Sequence, residues 1–100
     1  MKPFAIHADA EDELRRAAAR YEGEREGLGG EFLREFEAAV GRVRDNPLGY
    51  AAEDESEARL CPLRRFPFAV VYLDQPEQVW VVAVADQRRR PRYWARRLPE

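Results

Sequence analysis

The chain is predicted to fold as an α+β domain, with a helical hairpin on one face of an antiparallel sheet. Three observations carry that expectation. Two segments with apolar residues at helical spacing follow each other closely, at about residues 9–22 and 28–45. Two apolar, β-branched and aromatic runs, Phe66–Leu73 and Val79–Ala85, flank the short polar segment Asp74-Gln75-Pro76-Glu77, the pattern of a β-hairpin. The elements read in the order β-α-α-β-β-β, which keeps the helices apart from most of the strands.

Lys2–His7 is short, with Phe4 and Ile6 alternating against Pro3 and Ala5. It reads as a first strand near a sheet edge, because proline cannot donate to a ladder. His7 or Asp9 can cap the helix that follows, and Asp9, Glu11, Asp12 and Glu13 meet the positive end of its dipole. Ala10, Leu14, Ala17 and Tyr21 form its apolar face, and Glu11–Arg15 and Asp12–Arg16 are i,i+4 pairs. Gly23 is expected to end it at about Glu22. Residues 23–30, Gly-Glu-Arg-Glu-Gly-Leu-Gly-Gly, then read as a tight connection. The second helix presents Leu28, Phe32, Phe36, Ala39, Val40 and Val43 on one face and stops at Asn46-Pro47. Gly41 inside it costs about 1 kcal/mol against alanine, so close approach to the first helix or the sheet is expected there. Residues 47–57 form a loop with an acidic end. Ala58–Arg65 is a second strand, with Pro62 marking an edge or bulge. Neither hairpin run alternates cleanly with polar residues, so both strands should be covered on both faces or lie centrally. Pro91–Arg97 can make a short terminal helix with Pro91 at its first position.

One hundred residues make one domain, residues 1–100, of a size that folds without staples. The single cysteine, Cys61, cannot form an internal disulfide and fits a reducing, cytoplasmic setting. The N-terminal stretch has no apolar segment of a signal peptide, and no run reaches membrane-spanning length. The formal net charge of −2 hides an asymmetry: residues 1–58 balance at −7 and residues 59–97 at +6. An acidic half and a basic half suggest a face for a charged partner. Antiparallel pairing of the two runs sets the start of one strand beside the end of the next. Arg64 and Arg65 would then meet Arg88, Arg89 and Arg90 at one edge of the sheet, which becomes the expected working surface.

The chain resembles the RelE/ParE superfamily of bacterial toxins from type II toxin–antitoxin systems, most closely the plasmid-stabilisation, ParE-type branch. The resemblance rests on Ala8-Asp9-Ala10-Glu11-Asp12-Glu13-Leu14, on Ala17–Tyr21, on Gly27-Leu28-Gly29 with Phe32-Leu33, and on the Asn46-Pro47 stop. It continues through Arg65-Phe66-Pro67-Phe68 leading to Val71-Tyr72, and Ala85-Asp86-Gln87-Arg88-Arg89 ahead of Pro91 and Trp94. It implies a growth inhibitor silenced by a cognate antitoxin whose C-terminal segment wraps the toxin. It further implies DNA gyrase, or the ribosome and its mRNA, as target, the third alternative being an inactive relative that only binds its antitoxin; no cofactor and no membrane partner are expected. Two departures stand out. Many relatives carry histidine where this chain has Asp86, and nuclease members are strongly basic overall.

In the ribonuclease reading, the resemblance makes Arg64, Arg88, Arg89 and Tyr93 the catalytic candidates. Guanidinium groups match phosphate oxygens, and attack by a 2′-hydroxyl needs a base, an acid and positive charge. The base is missing: His7, the only histidine, lies at the other end of the chain, and Lys2 is the only lysine. In the gyrase reading, the resemblance implies a binding surface without acid–base chemistry. Its expected members are Arg65, Arg88, Arg89, Arg90, Arg92, Tyr93 and Trp94, residue types enriched at binding hot spots. The structural alternatives are plain. Phe66, Phe68, Val70, Tyr72, Trp80, Val82 and Val84 read first as core. Glu35 and Glu37 diverge on a helix. One cysteine and one histidine make no metal set.

Overall fold

The computed structural model describes residues 2–99. The order is β1 (Phe4–Ile6), α1 (Ala8–Glu24), α2 (Leu28–Asp45), β2 (Arg59–Pro62), β3 (Phe68–Asp74) and β4 (Val79–Asp86), closed by a 3-10 turn at Ala95–Arg97. The four strands form one sheet in the order β1-β4-β3-β2. The predicted hairpin is its centre: β3 and β4 pair antiparallel from Phe68↔Asp86 to Asp74↔Val79, with a register shift between Val71 and Tyr72.

The sheet is mixed, where a wholly antiparallel one was expected. β1 occupies the edge beyond β4 and runs parallel to it, tied in by Val79 N–H to Pro3 O at 3.0 Å and His7 N–H to Val81 O at 2.9 Å. Strand direction has no local signature in three residues, so only the docked helical hairpin settles it. β2 is the opposite edge, antiparallel to β3, and is shorter than expected, ending at Pro62.

Both hairpin strands are covered on both faces, which accounts for their unbroken apolar runs. On one face, Tyr21, Phe32, Phe36, Val40 and Val43 of the helices bury against Phe68, Val70, Tyr72, Val81 and Val84. Tyr21, Phe32, Phe66 and Phe68 form an aromatic cluster with ring centroids 4.7–6.2 Å apart, the separations at which tilted and edge-on pairs attract. On the other face, the chain from Tyr93 to Leu98 folds back over Val71, Val82, Ala83 and Ala85. Tyr72 is fully buried in the first of these cores, and its hydroxyl donates to Pro47 O at 2.6 Å. Burial pushes its pKa up to about 12.

The helix boundaries correct the expectation at the glycines. His7 caps α1, accepting from Asp9 N–H at 3.0 Å. Gly23 does not end α1, which runs to Glu24. The turn is made instead at Gly27, φ +89°, a conformation that disfavours a side chain. The Glu22 carboxylate then accepts from Gly27 N–H and Gly29 N–H, both at 2.9 Å, satisfying the start of α2. The close helix–helix approach falls at Gly29, where a Cβ would meet Ala18 O at 2.5 Å. A Cβ at Gly41 would meet nothing within 4 Å, so packing does not explain that glycine. The expected terminal helix from Pro91 is reduced to the 3-10 turn, because Arg92 takes a left-handed conformation, φ 57°.

Candidate functional site

The Phe68↔Asp86 pairing sets the 63–67 turn beside residues 86–90, and Gln87 N–H donates to Pro67 O at 2.9 Å. Arg64 and Arg65 therefore share the end of the β3–β4 hairpin with Arg88, Arg89 and Arg90. This is the end of the two central strands, not an edge of the sheet. Their side chains diverge from that common backbone position, and the carboxylates of the acidic half decide where each one goes.

Arg65 turns toward α2: its Nη1 lies 2.7 Å from Glu31 Oε1, and its backbone N–H donates to Glu35 at 3.2 Å. The Arg65 side-chain hydrogen bond, and then that of Arg25, hold the Glu31 carboxyl below its usual range. Arg88 folds back onto Asp86 in a two-pronged contact, both prongs at 2.9 Å, and its backbone N–H donates to the same carboxylate. Asp86 is lowered by the Arg88 hydrogen bond and stays ionised. Arg92 makes the same fork to Glu53, at 2.7 and 2.9 Å, with Glu55 3.1 Å away. The Arg92 bond lowers Glu53 against the opposing effect of burial.

The centre of the site is a carboxylate that sequence reasoning placed only in a helix dipole. Glu13 of α1 accepts from Val84 N–H at 3.1 Å, from Tyr93 Oη at 2.6 Å and from both Arg97 Nη atoms at 2.9 and 3.0 Å. Arg89 Nη1 stands 3.5 Å from the same group. Arg97 and Glu13 side chains are only 12% and 15% exposed, so this pair is nearly dry. Burial, and then the bond to Glu13, raises the Tyr93 hydroxyl above its ordinary value. The Arg89 guanidinium lies 3.8 Å from the Tyr93 ring centroid and that of Arg97 lies at 5.3 Å, both within cation–π range.

Of the expected surface residues, the structure thus brings Arg89, Arg90, Arg92 and Tyr93 together along the segment after β4. Arg65 and Arg88 point elsewhere. Trp94 is 3% exposed and supports the segment from below. Arg64 is exposed at the hairpin end. Arg96 and Arg97 join the group, and both were missed. Besides a groove of about 430 Å³ at Glu13, Arg89 and Tyr93, two grooves of about 310 Å³ each follow the segment. One is lined by Arg89, Arg90, Arg92, Tyr93, Arg96 and Arg97. The other has Leu60, Ala69, Ala85, Pro91 and Trp94 in its lining, together with Glu53 and Asp86. Among the described residues, no group of three His, Cys, Asp or Glu could hold a metal ion, and no helix is long and apolar enough to cross a membrane.

Residues 4–91 match a family model described as the ParE toxin of type II toxin–antitoxin system, parDE. The match stops before Arg92. No curated protein matches the chain in sequence. Among solved structures, one described as the chromosomal ParDE TA system from P. aeruginosa aligns with a TM-score of 0.63 and 14% identity, covering 86% of this chain and 96% of that one. At that identity the likeness is one of fold.

Proposed function

Since the chain belongs to the ParE toxin family of type II toxin–antitoxin systems, we propose that it arrests bacterial growth by binding DNA gyrase and trapping it on cleaved DNA. It acts in the cytoplasm, and a cognate antitoxin neutralises it. The target contact is the guanidinium and aromatic surface that Arg89, Arg90, Arg92 and Tyr93 present after β4.

One observation carries the choice of a binding surface over the ribonuclease alternative: every group there that could move a proton is already engaged. The Tyr93 hydroxyl donates to Glu13, the Asp86 carboxylate accepts three hydrogen bonds from Arg88, which lower its basicity, and His7 caps α1 at the opposite end of β4. A general base must be free to accept and within reach of its proton. Poisoning by a bound protein needs only shape and charge. The purified protein should inhibit supercoiling by gyrase and accumulate cleaved DNA. Intact supercoiling, together with transcripts cut on translating ribosomes, would replace this reading with the ribonuclease one.

A further inference from the structure

The chain after β4 is attached differently from the strands. β1 is only three residues long, yet its backbone joins β4 through Val79 N–H to Pro3 O and His7 N–H to Val81 O. From Pro91 to Leu98 the backbone–backbone hydrogen bonds are internal: Ala95 N–H to Arg92 O and Arg97 N–H to Trp94 O, both at 2.9 Å, and Leu98 N–H to Ala95 O at 3.1 Å. Among the described residues, no backbone–backbone bond ties this stretch to the sheet face that it covers. Side chains hold it instead. Trp94 is buried in the cluster with Val71, Val82, Ala83 and Ala85, and Arg97 donates to Val82 O at 3.2 Å. The remaining polar anchors are carboxylates of remote elements. Glu13 of α1 takes the Tyr93 hydroxyl and Arg97, and Glu53 of the loop before β2 takes both prongs of Arg92. Asp9 and Glu55 stand behind them, 3.8 Å from Arg97 and 3.1 Å from Arg92.

The course of this stretch is imposed from outside it. Arg92 is left-handed, φ 57°, the one non-glycine residue in that region among the described residues. Such a conformation persists where the surroundings over-determine it, and the fork to Glu53 fixes this side chain. At the other end, Arg97 and Glu13 are 12% and 15% exposed. A guanidinium that loses its carboxylate in so dry a place is driven toward water. The sheet is held by its own ladders, so the shorter way to water is for the stretch to swing out. Local opening is the property of elements with few ties to the frame. We propose that residues 91–98 form a separately docked arm, and that Glu13 and Glu53 are its positioning residues. Their carboxylates act through Arg97, Tyr93 and Arg92 and set where the exposed side chains of the arm stand. The consequence for target binding rests on the reading that the segment after β4 is the working surface; the docking itself does not.

Trp94 reports the docking directly. In the full chain carrying Trp80→Phe it is the only tryptophan, and it is 3% exposed. Adding Glu13→Gln and Glu53→Gln keeps the shape of both side chains and removes their charge. Trp94 emission should then move to longer wavelength and its quenching by acrylamide should rise several-fold, while the amides of β3 and β4 stay protected from hydrogen exchange. Glu53→Gln alone is the milder variant and should move quenching in the same direction. A Trp94 that stays shielded, or that loses its shielding only together with the β3 and β4 amides, would overturn the proposal, since the stretch would then belong to one cooperative unit with the sheet. Supercoiling by gyrase reads the consequence. The double Gln variant keeps every arginine, yet it should need several-fold more protein than wild type for half inhibition. Equal inhibition with Trp94 exposed would overturn the positioning role. A wild type that leaves gyrase untouched would remove the gyrase reading and leave the docked arm to the Trp94 measurement.

Discussion

Glu13 shows how much of the site one side chain can hold. Its two oxygens accept from a strand amide, a phenol and a guanidinium, so Glu13→Ala leaves Arg97, only 12% exposed, with Val82 O at 3.2 Å and Asp9 at 3.8 Å as its remaining partners. Removing one partner of a nearly buried pair costs about 3 kcal/mol or more, and the midpoint of urea unfolding should fall accordingly. An unchanged midpoint would contradict the assignment. Tyr93→Phe is a milder change. It loses one hydrogen bond, worth about 1 kcal/mol, keeps the ring against Arg89, and should retain gyrase inhibition in full. A ribonuclease that relied on the hydroxyl would lose its activity. Glu53 links the site to pH. Its folded pKa is lowered from 4.5 by Arg92, so its stabilising contribution is complete above the unfolded value and is lost as pH falls through the lowered one. The stability gap between wild type and Glu53→Gln should therefore be open at neutral pH and close as pH falls through and below the ordinary carboxylate range, as read by acid titration of circular dichroism.

At the scale of elements, the two helical glycines separate conformational freedom from close approach. Gly29→Ala drives a Cβ to 2.5 Å from Ala18 O. That contact is with backbone, so the helices must part, at a cost of about 1–3 kcal/mol. Gly41→Ala meets nothing within 4 Å and should stabilise α2 by about 0.5–1 kcal/mol. Thermal unfolding of the two variants in opposite directions would bear out both assignments. The sequence invited the reverse reading of these positions, because a glycine run looks like a loop and an isolated helical glycine looks like a contact. The hairpin was legible because Phe66–Leu73 and Val79–Ala85 are β-branched, bounded and separated by a polar turn. The parallel pairing of β1 was not, since three residues carry no sign of direction. The left-handed Arg92 that cuts the terminal helix short was also hidden, being held by Glu53, 39 positions away.

Over the whole molecule, four of the nine arginines in residues 59–97, Arg65, Arg89, Arg92 and Arg97, pair with carboxylates of the acidic half. Glu13, Glu31 and Glu53 from the acidic half meet Arg97, Arg65 and Arg92 from the basic half, binding the helices, the loop before β2 and the chain end into one frame. The basic character of residues 59–97 could be counted from the sequence. Which guanidiniums remained for a partner could not, because the answer depends on contacts such as Arg97 to Glu13, 84 positions apart. After β4, Arg90 and Arg96 have no ion-pair partner among the described residues and Arg89 reaches Glu13 only at 3.5 Å, along a segment that continues past the residues matching the family. Gyrase supercoiling measured with wild type and the R89A/R90A/R96A variant tests this most directly. Wild type should inhibit, and the folded triple variant should lose most of that inhibition. Equal inhibition by both proteins would contradict the account.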